Sequence, residues 1–168
     1  MAVNLGDISV GKVGFVENHR LWNDEQKEAA EQVKKEIKQK DLRTIRVGWG
    51  DQHGIVRGKN IMTHDFLHVL RNGQDFQTAT LFMDTTNNLF APMFASGGGL
   101  GMSELAGGPD SILVPDPTTF RVLPWAPHTG WVLCDMYFDN GERVPFDTRG
   151  LLSKALDTLH ADGYEYVG

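Results

Sequence analysis

The chain has 168 residues, 40% of them hydrophobic and 23% charged, with a formal net charge of −6. That length suits one domain able to bury a core, and the acidic balance argues against a nucleic-acid surface. The one cysteine, Cys134, excludes an internal disulfide, no apolar run approaches a membrane span, and Met1 to Arg20 lacks a signal-peptide core. The expectation is a cytoplasmic protein with no nucleic-acid and no membrane partner.

Residues 1–22 show no period and are expected to be irregular. Residues 23–41 read as a helix capped by Asn23 or Asp24, with Asp24, Glu25 and Glu28 in its first turn. Ala29, Val33 and Ile37 fall four apart, with Ala30 beside them, a narrow stripe that packs on a neighbour. Arg43 to Gly50 alternates Ile45, Val47 and Trp49 with Arg46 and Gly48, the pattern of a strand. Asp51-Gln52-His53-Gly54 is a turn, and Ile55 to Met62 returns as a second strand. Thr63 is expected to cap a helix over His64 to Arg71, closed by Asn72-Gly73, with Phe66, Leu67 and Leu70 as its buried stripe.

Ala79 to Met83 reads as a short strand and Asp84 to Asn88 as a turn. Met93 to Gly108 holds six glycines and little apolar period; a loop of that length in a compact domain is functional or disordered. Phe120 to Trp125 and Gly130 to Phe138 are β-type runs. Asp139-Asn140-Gly141 then turns the chain into a returning strand over Glu142 to Phe146. A last helix follows Arg149, with Leu151, Leu152, Ala155, Leu156 and Leu159 on its apolar face and Gly163 at its end. Glu165-Tyr166-Val167 resembles the opening of another strand. Strand, turn, strand, helix and further strands is the order of a β-grasp, an α+β arrangement in which a helix packs across a mixed sheet.

Four local features invite chemistry. His64 and His68 stand four apart on a helix with Asp65 between them, but no third metal ligand accompanies them, and an exposed helix face accounts for the spacing. Gly97-Gly98-Gly99-Leu100-Gly101 lacks the Lys-Ser/Thr that completes a phosphate loop. Asp110, Asp116, Asp135 and Asp139 are scattered over turns and strand ends, where aspartate bonds its own backbone. Trp22, Trp49, Trp125 and Trp131 suit a core or an interface, and Cys134 a buried thiol. No complete active site emerges: phosphoryl chemistry needs grouped carboxylates around divalent ions, and none appears.

Three stretches together carry a resemblance. RVGWGDQHGIVRGKNI with its Asp-x-x-Gly turn, LVPDPTTFRVLPW followed by VLCDMYFDNG, and FDTRGLL resemble the N-terminal β-grasp domain of the glutamine synthetase family. The likeness is greatest to the glutamine synthetase-like ligases that join glutamate to larger amines, and it runs from Asp41 to Gly168. It implies a division into an N-terminal segment 1–22, a helix 23–41, a β-grasp domain 42–147, and a helix over 148–168 that leads into a truncated C-terminal catalytic domain. It implies also that ATP and Mg or Mn ions bind in that absent domain, with no cofactor, metal or catalytic residue here. The substrates implied are glutamate and an amine, joined through a γ-glutamyl phosphate, and the partner implied is a second copy in a ring-type homo-oligomer. In that assembly the N-terminal domain lends its neighbour's active site a glycine-rich loop. In ammonia-using members the loop carries an aspartate and, further on, a tryptophan. Here the aspartate position falls at Ala95 or Ser96 and the tryptophan position at Met102 or Ser103, with Gly97, Gly98, Gly99 and Leu100 between. A non-catalytic β-grasp module for binding or assembly is the other reading of the same fold.

Overall fold

A computed structural model describes residues 13–166, so the sequence readings for residues 1–12 and for Val167 and Gly168 lie outside the described residues. Strand β6 (Thr129–Tyr137) is the axis of a mixed sheet. Its inward residues Val132, Cys134 and Met136 are wholly buried. On one side it pairs in parallel with β1 (Thr44–Gly50), and β2 (Val56–Met62) adds antiparallel to β1 at the edge. On the other side it pairs antiparallel with β4 (Asp110–Pro115), which carries β3 (Gln74–Gln77) at the opposite edge. The path is β2-β1-β6-β4-β3, with the two-residue β5 (Arg121–Val122) also laid against β6. Parallel β1 and β6 at the centre, flanked by antiparallel strands, is the mixed sheet that the element order predicts.

One face of the sheet makes the core. Helix α3 (Thr63–Asn72) packs there against β1, β2 and β4 through Phe66, Val69 and Leu70. Ile45, Val47 and Trp49 of β1 meet it, and Phe76, Phe82, Met93 and Leu105 close the layer. Taking each of these side chains out of water contributes about 1.5–3 kcal/mol. Helix α2 (Asp24–Gln39), with Ala30, Val33 and Ile37 buried, packs on the turn over Pro117–Thr119 and on α3. Asn23 caps it as predicted: its side chain accepts from Gln26 N–H while the Gln26 side chain accepts from Asn23 N–H. The short α1 (Phe15–Asn18) lies against α3, within a stretch expected to be irregular.

Several expectations need correction. Thr63 is the first residue of α3 rather than its cap; Met62 takes the cap position and offers no side-chain bond. Leu67 is only half-buried, and Val69 takes its place in the stripe. Residues Thr78–Phe82 form a 3₁₀ turn, not a strand: Thr78 is tied through its N–H and hydroxyl to the Pro109 carbonyl, which ends β3 and turns the chain inward. The strand expected over Phe120 to Trp125 shortens to β5. The returning strand over Glu142 to Phe146 reduces to one bridge, Tyr137 to Arg143, and two bonds, Phe138 N–H to Glu142 O and Val144 N–H to Met136 O. Pro145 cannot donate to a ladder, and Arg143 is drawn aside by acids. Helix α4 (Thr148–Ala161) forms where expected, but none of its residues is buried: Leu151, Leu152 and Leu159 face solvent. It is held at its first turn, where Thr148 donates to the Gly50 carbonyl at 2.7 Å and Arg149 reaches Asp116. Among the described residues, no helix is long and apolar enough to cross a membrane.

Candidate functional site

The glycine-rich segment is folded, and its backbone holds it. Gly98 N–H donates to Ala95 O, Met102 N–H to Gly99 O, and Gly107 N–H to Met93 O, the last at 3.0 Å across the neck of the loop. Met93 and Leu105 are wholly buried beneath it and anchor its two ends in the core. Two glycines are required by geometry. A Cβ on Gly98 would collide with the carbonyl oxygens of Pro92 and Met93, and Gly99 takes φ +76° with Ala106 pressed against it. Leu100 also takes a left-handed conformation, φ 57°, which costs a branched residue about 1–2 kcal/mol. It is 60% exposed and Phe94 is 65% exposed, so the loop presents apolar side chains outward on a hydrogen-bonded, buried base.

Of the residues the sequence singled out, Ala95, Ser96, Gly97 and Leu100 line the exposed crest, Gly98 and Gly99 form the buried base, and Met102 is half-buried against the core. None of them carries a charge. Between residues 90 and 109 the only acid is Glu104, whose exposed carboxylate accepts from its neighbour Ser103.

The aspartates sort into structural roles. Asp51 is buried in the β1–β2 turn. Its Oδ1 accepts from the N–H groups of His53 and Ile55, and its Oδ2 from Arg57 Nε at 2.7 Å. Burial opposes its charge, but these bonds outweigh burial and hold the carboxyl below its ordinary value. Asp116 joins three elements: Gln26 of α2, Thr118 of its own turn and Arg149 of α4 all donate to it. Against its desolvation, those bonds likewise depress its carboxyl. Asp135 on β6 takes Arg143 at 2.6 Å and Arg149 at 3.6 Å, yet burial dominates and pushes its carboxyl up. Arg143 also bonds Asp147 at 2.7 Å. Asp110 and Asp139 are exposed and stay outside this chain of ion pairs. The sequence suggested local backbone bonding for these acids; the link between Asp116, Asp135, Asp147 and the two arginines spans about thirty residues and has no signature at short range.

The remaining features are quiet. His64 sits by Asp65 at 3.3 Å, and His68 pairs with Asn72, both on the open side of α3. Cys134 is buried, and desolvation pushes its thiol far up, which leaves no thiolate. Among the described residues, no three His, Cys, Asp or Glu side chains converge where a metal ion could sit.

No protein-family model matches the chain. Individual proteins do. A γ-glutamylanilide synthase of Acinetobacter sp is 38% identical over 156 residues, 91% of this chain and 31% of that protein. A glutamate–isopropylamine ligase of Pseudomonas sp is 30% identical over 144 residues, 85% of this chain and 30% of that one. A glutamine synthetase of Methanosarcina mazei is 27% identical over 137 residues, 80% of this chain and 26% of its own. The chain belongs to the glutamine synthetase family. It spans between a quarter and a third of the length of these curated relatives. A solved GmaS/ADP complex has the same fold, with TM-score 0.56 and 23% identity over 75% of this chain and 25% of that one. The glycine-rich segment, singled out by the sequence resemblance and folded as described, is the candidate site, and the aspartates serve the fold.

Proposed function

We propose that this chain is the N-terminal domain of an ATP-dependent glutamine synthetase-like ligase that joins the γ-carboxyl of glutamate to an amine through a γ-glutamyl phosphate. Its part is the loop from Ala95 to Met102, which lies at the boundary between subunits of a ring-type homo-oligomer and selects the amine. ATP and its Mg or Mn ions bind in a catalytic domain that these residues do not include. The observation that carries the reading is the relationship over 91% of the chain to a protein named for a γ-glutamyl–anilide product, combined with a loop that bears no acid. An ammonium ion needs an anionic partner to be held and to lose its proton before it attacks. A neutral arylamine needs an apolar wall instead, and the exposed Phe94 and Leu100 side chains beside the glycines supply one.

Phosphate release tests the reading. The full-length protein, given glutamate, ATP and Mg ions, turns over faster with aniline than with ammonia at equal free-amine concentration, and the 168-residue chain alone gives none. Metal-dependent turnover by the chain alone, or a strict preference of the full-length protein for ammonia, contradicts it.

A further inference from the structure

The second face of the sheet is left open, and a groove of roughly 430 Å³ runs along it beside β1 and β2. The register that pairs Gly48 with Gly58 removes two side chains from its floor, so the strand backbones themselves are bare there. Trp125, 74% exposed, Trp131 and Leu123 make one wall. The indole N–H of Trp131 lies close over the floor, 3.5 Å from where a Cβ on Gly48 would stand. Arg46 is the residue paired in register with Trp131 and lies on the same face.

The charge of the groove is opposite to that of the chain. The protein carries a net −6, yet among the described residues no aspartate or glutamate lines this groove; Arg46 meets it with its side chain, whereas Arg57 and Lys59, paired with Trp49 and Val47, border it through their backbone and turn their side chains to the closed face. Those two cations are engaged on the closed face, Arg57 by Asp51 and Lys59 by the Asp75 carbonyl and the Phe76 ring. The Arg46 side chain makes no hydrogen bond or ion pair among the described residues, and it is exposed. An indole wall, a flat floor and one uncommitted guanidinium have a common complement. The ring of the ligand would lie on tryptophan, and its anionic group would meet the planar fork of the arginine.

We propose that this groove binds a small aromatic carboxylate, with the ring against Trp125 and Trp131 and the carboxylate on Arg46. The proposal does not depend on the ligase reading, because the groove is built from other residues than the Ala95–Met102 loop.

The test uses the 168-residue chain with benzoate, followed through the tryptophan indole N–H resonances. Benzoate shifts the signals of Trp125 and Trp131 along a saturable curve and leaves that of Trp49, buried on the opposite face, in place. Aniline, with the ring but no charge, gives no saturable shift. Cyclohexanecarboxylate, with the charge but no aromatic face, binds several-fold more weakly. Arg46→Gln weakens benzoate roughly tenfold, the loss of one charge-assisted pair. Trp125→Ala does so by a similar factor, read at Trp131. Both side chains are exposed, so both variants retain the wild-type melting curve. A shift linear in benzoate, equal binding of aniline, or an Arg46→Gln variant that binds as the wild type overturns the proposal. So does a shift of the same two signals with protein concentration alone, which would mean that a second copy of the chain fills the groove.

Discussion

Two carboxylates hold separate parts of the molecule by the same means. Asp51 fixes the β1–β2 turn and Asp116 fixes α4 to α2 and to the sheet. Each is buried, and for each the donors outweigh desolvation, so the folded-state carboxyl lies below its unfolded value of about 3.9. Their contribution is therefore complete above that value and is lost as pH falls through the folded-state value. Asp135 works in the opposite sense. Its raised carboxyl means that its ionisation weakens the fold as pH rises from the unfolded value toward the folded one, and the two arginines limit that loss. The expected result is a urea midpoint that declines as pH falls below about 4. Asp116→Asn keeps the shape but removes the charge. It should lower stability at pH 7 by about 1–3 kcal/mol and flatten the acid decline, because the Arg149 head group loses its closest partner. An Asp116→Asn variant with unchanged midpoint at pH 7 would mean that the contact to Arg149 holds nothing.

At the scale of elements, the glycine-rich loop separates two requirements that a sequence cannot distinguish. Gly97 takes φ +75° in open space, so a substitution there meets only backbone strain. Gly98 has an ordinary φ of −64° but no room for a Cβ. Gly97→Ala should cost about 1–2 kcal/mol from left-handed strain. Gly98→Ala should cost about 1–3 kcal/mol from overpacking, and in addition open the neck at Met93 and Gly107. Amide exchange at Gly107 reads the difference: it rises in Gly98→Ala and not in Gly97→Ala. Equal exchange in both would show that the neck is not held by the close approach at Gly98. The same scale shows what the sequence made legible. The alternation at Ile45, Val47 and Trp49 and the four-residue spacing in α2 report burial directly, so β1 and α2 were readable to within a residue or two. Thr78–Phe82 and Glu142–Phe146 were not, because their conformation is set by partners far away in the chain. Thr78 is turned by Pro109, and Arg143 by Asp135 and Asp147. Helix α4 was legible as a helix and misleading as a packing element, since periodic leucines specify an apolar face without specifying what covers it.

For the whole molecule, the sheet divides the work between its faces and edges. The closed face carries the core under α3, and from that core Met93 and Leu105 hold the glycine-rich loop with its apolar crest outward. The open face carries the groove and the ion pairs that tether α4. The loop itself was legible in the sequence from its six glycines, but a role for it came only through the family resemblance, because uncharged glycines carry no chemistry of their own. Its folded geometry came from the structure. The measurement that tests this account most directly is the amine preference of the full-length enzyme after an acid is placed in the loop. The ratio of kcat/KM for ammonia to that for aniline should rise in Ala95→Asp or Ser96→Asp, by about tenfold if one carboxylate gains a single charge-assisted contact with ammonium. Both positions are exposed on the crest, so the substitutions leave the fold intact. A ratio unchanged in both variants, with kcat/KM for each amine at the wild-type value, would contradict the claim that this loop chooses the amine.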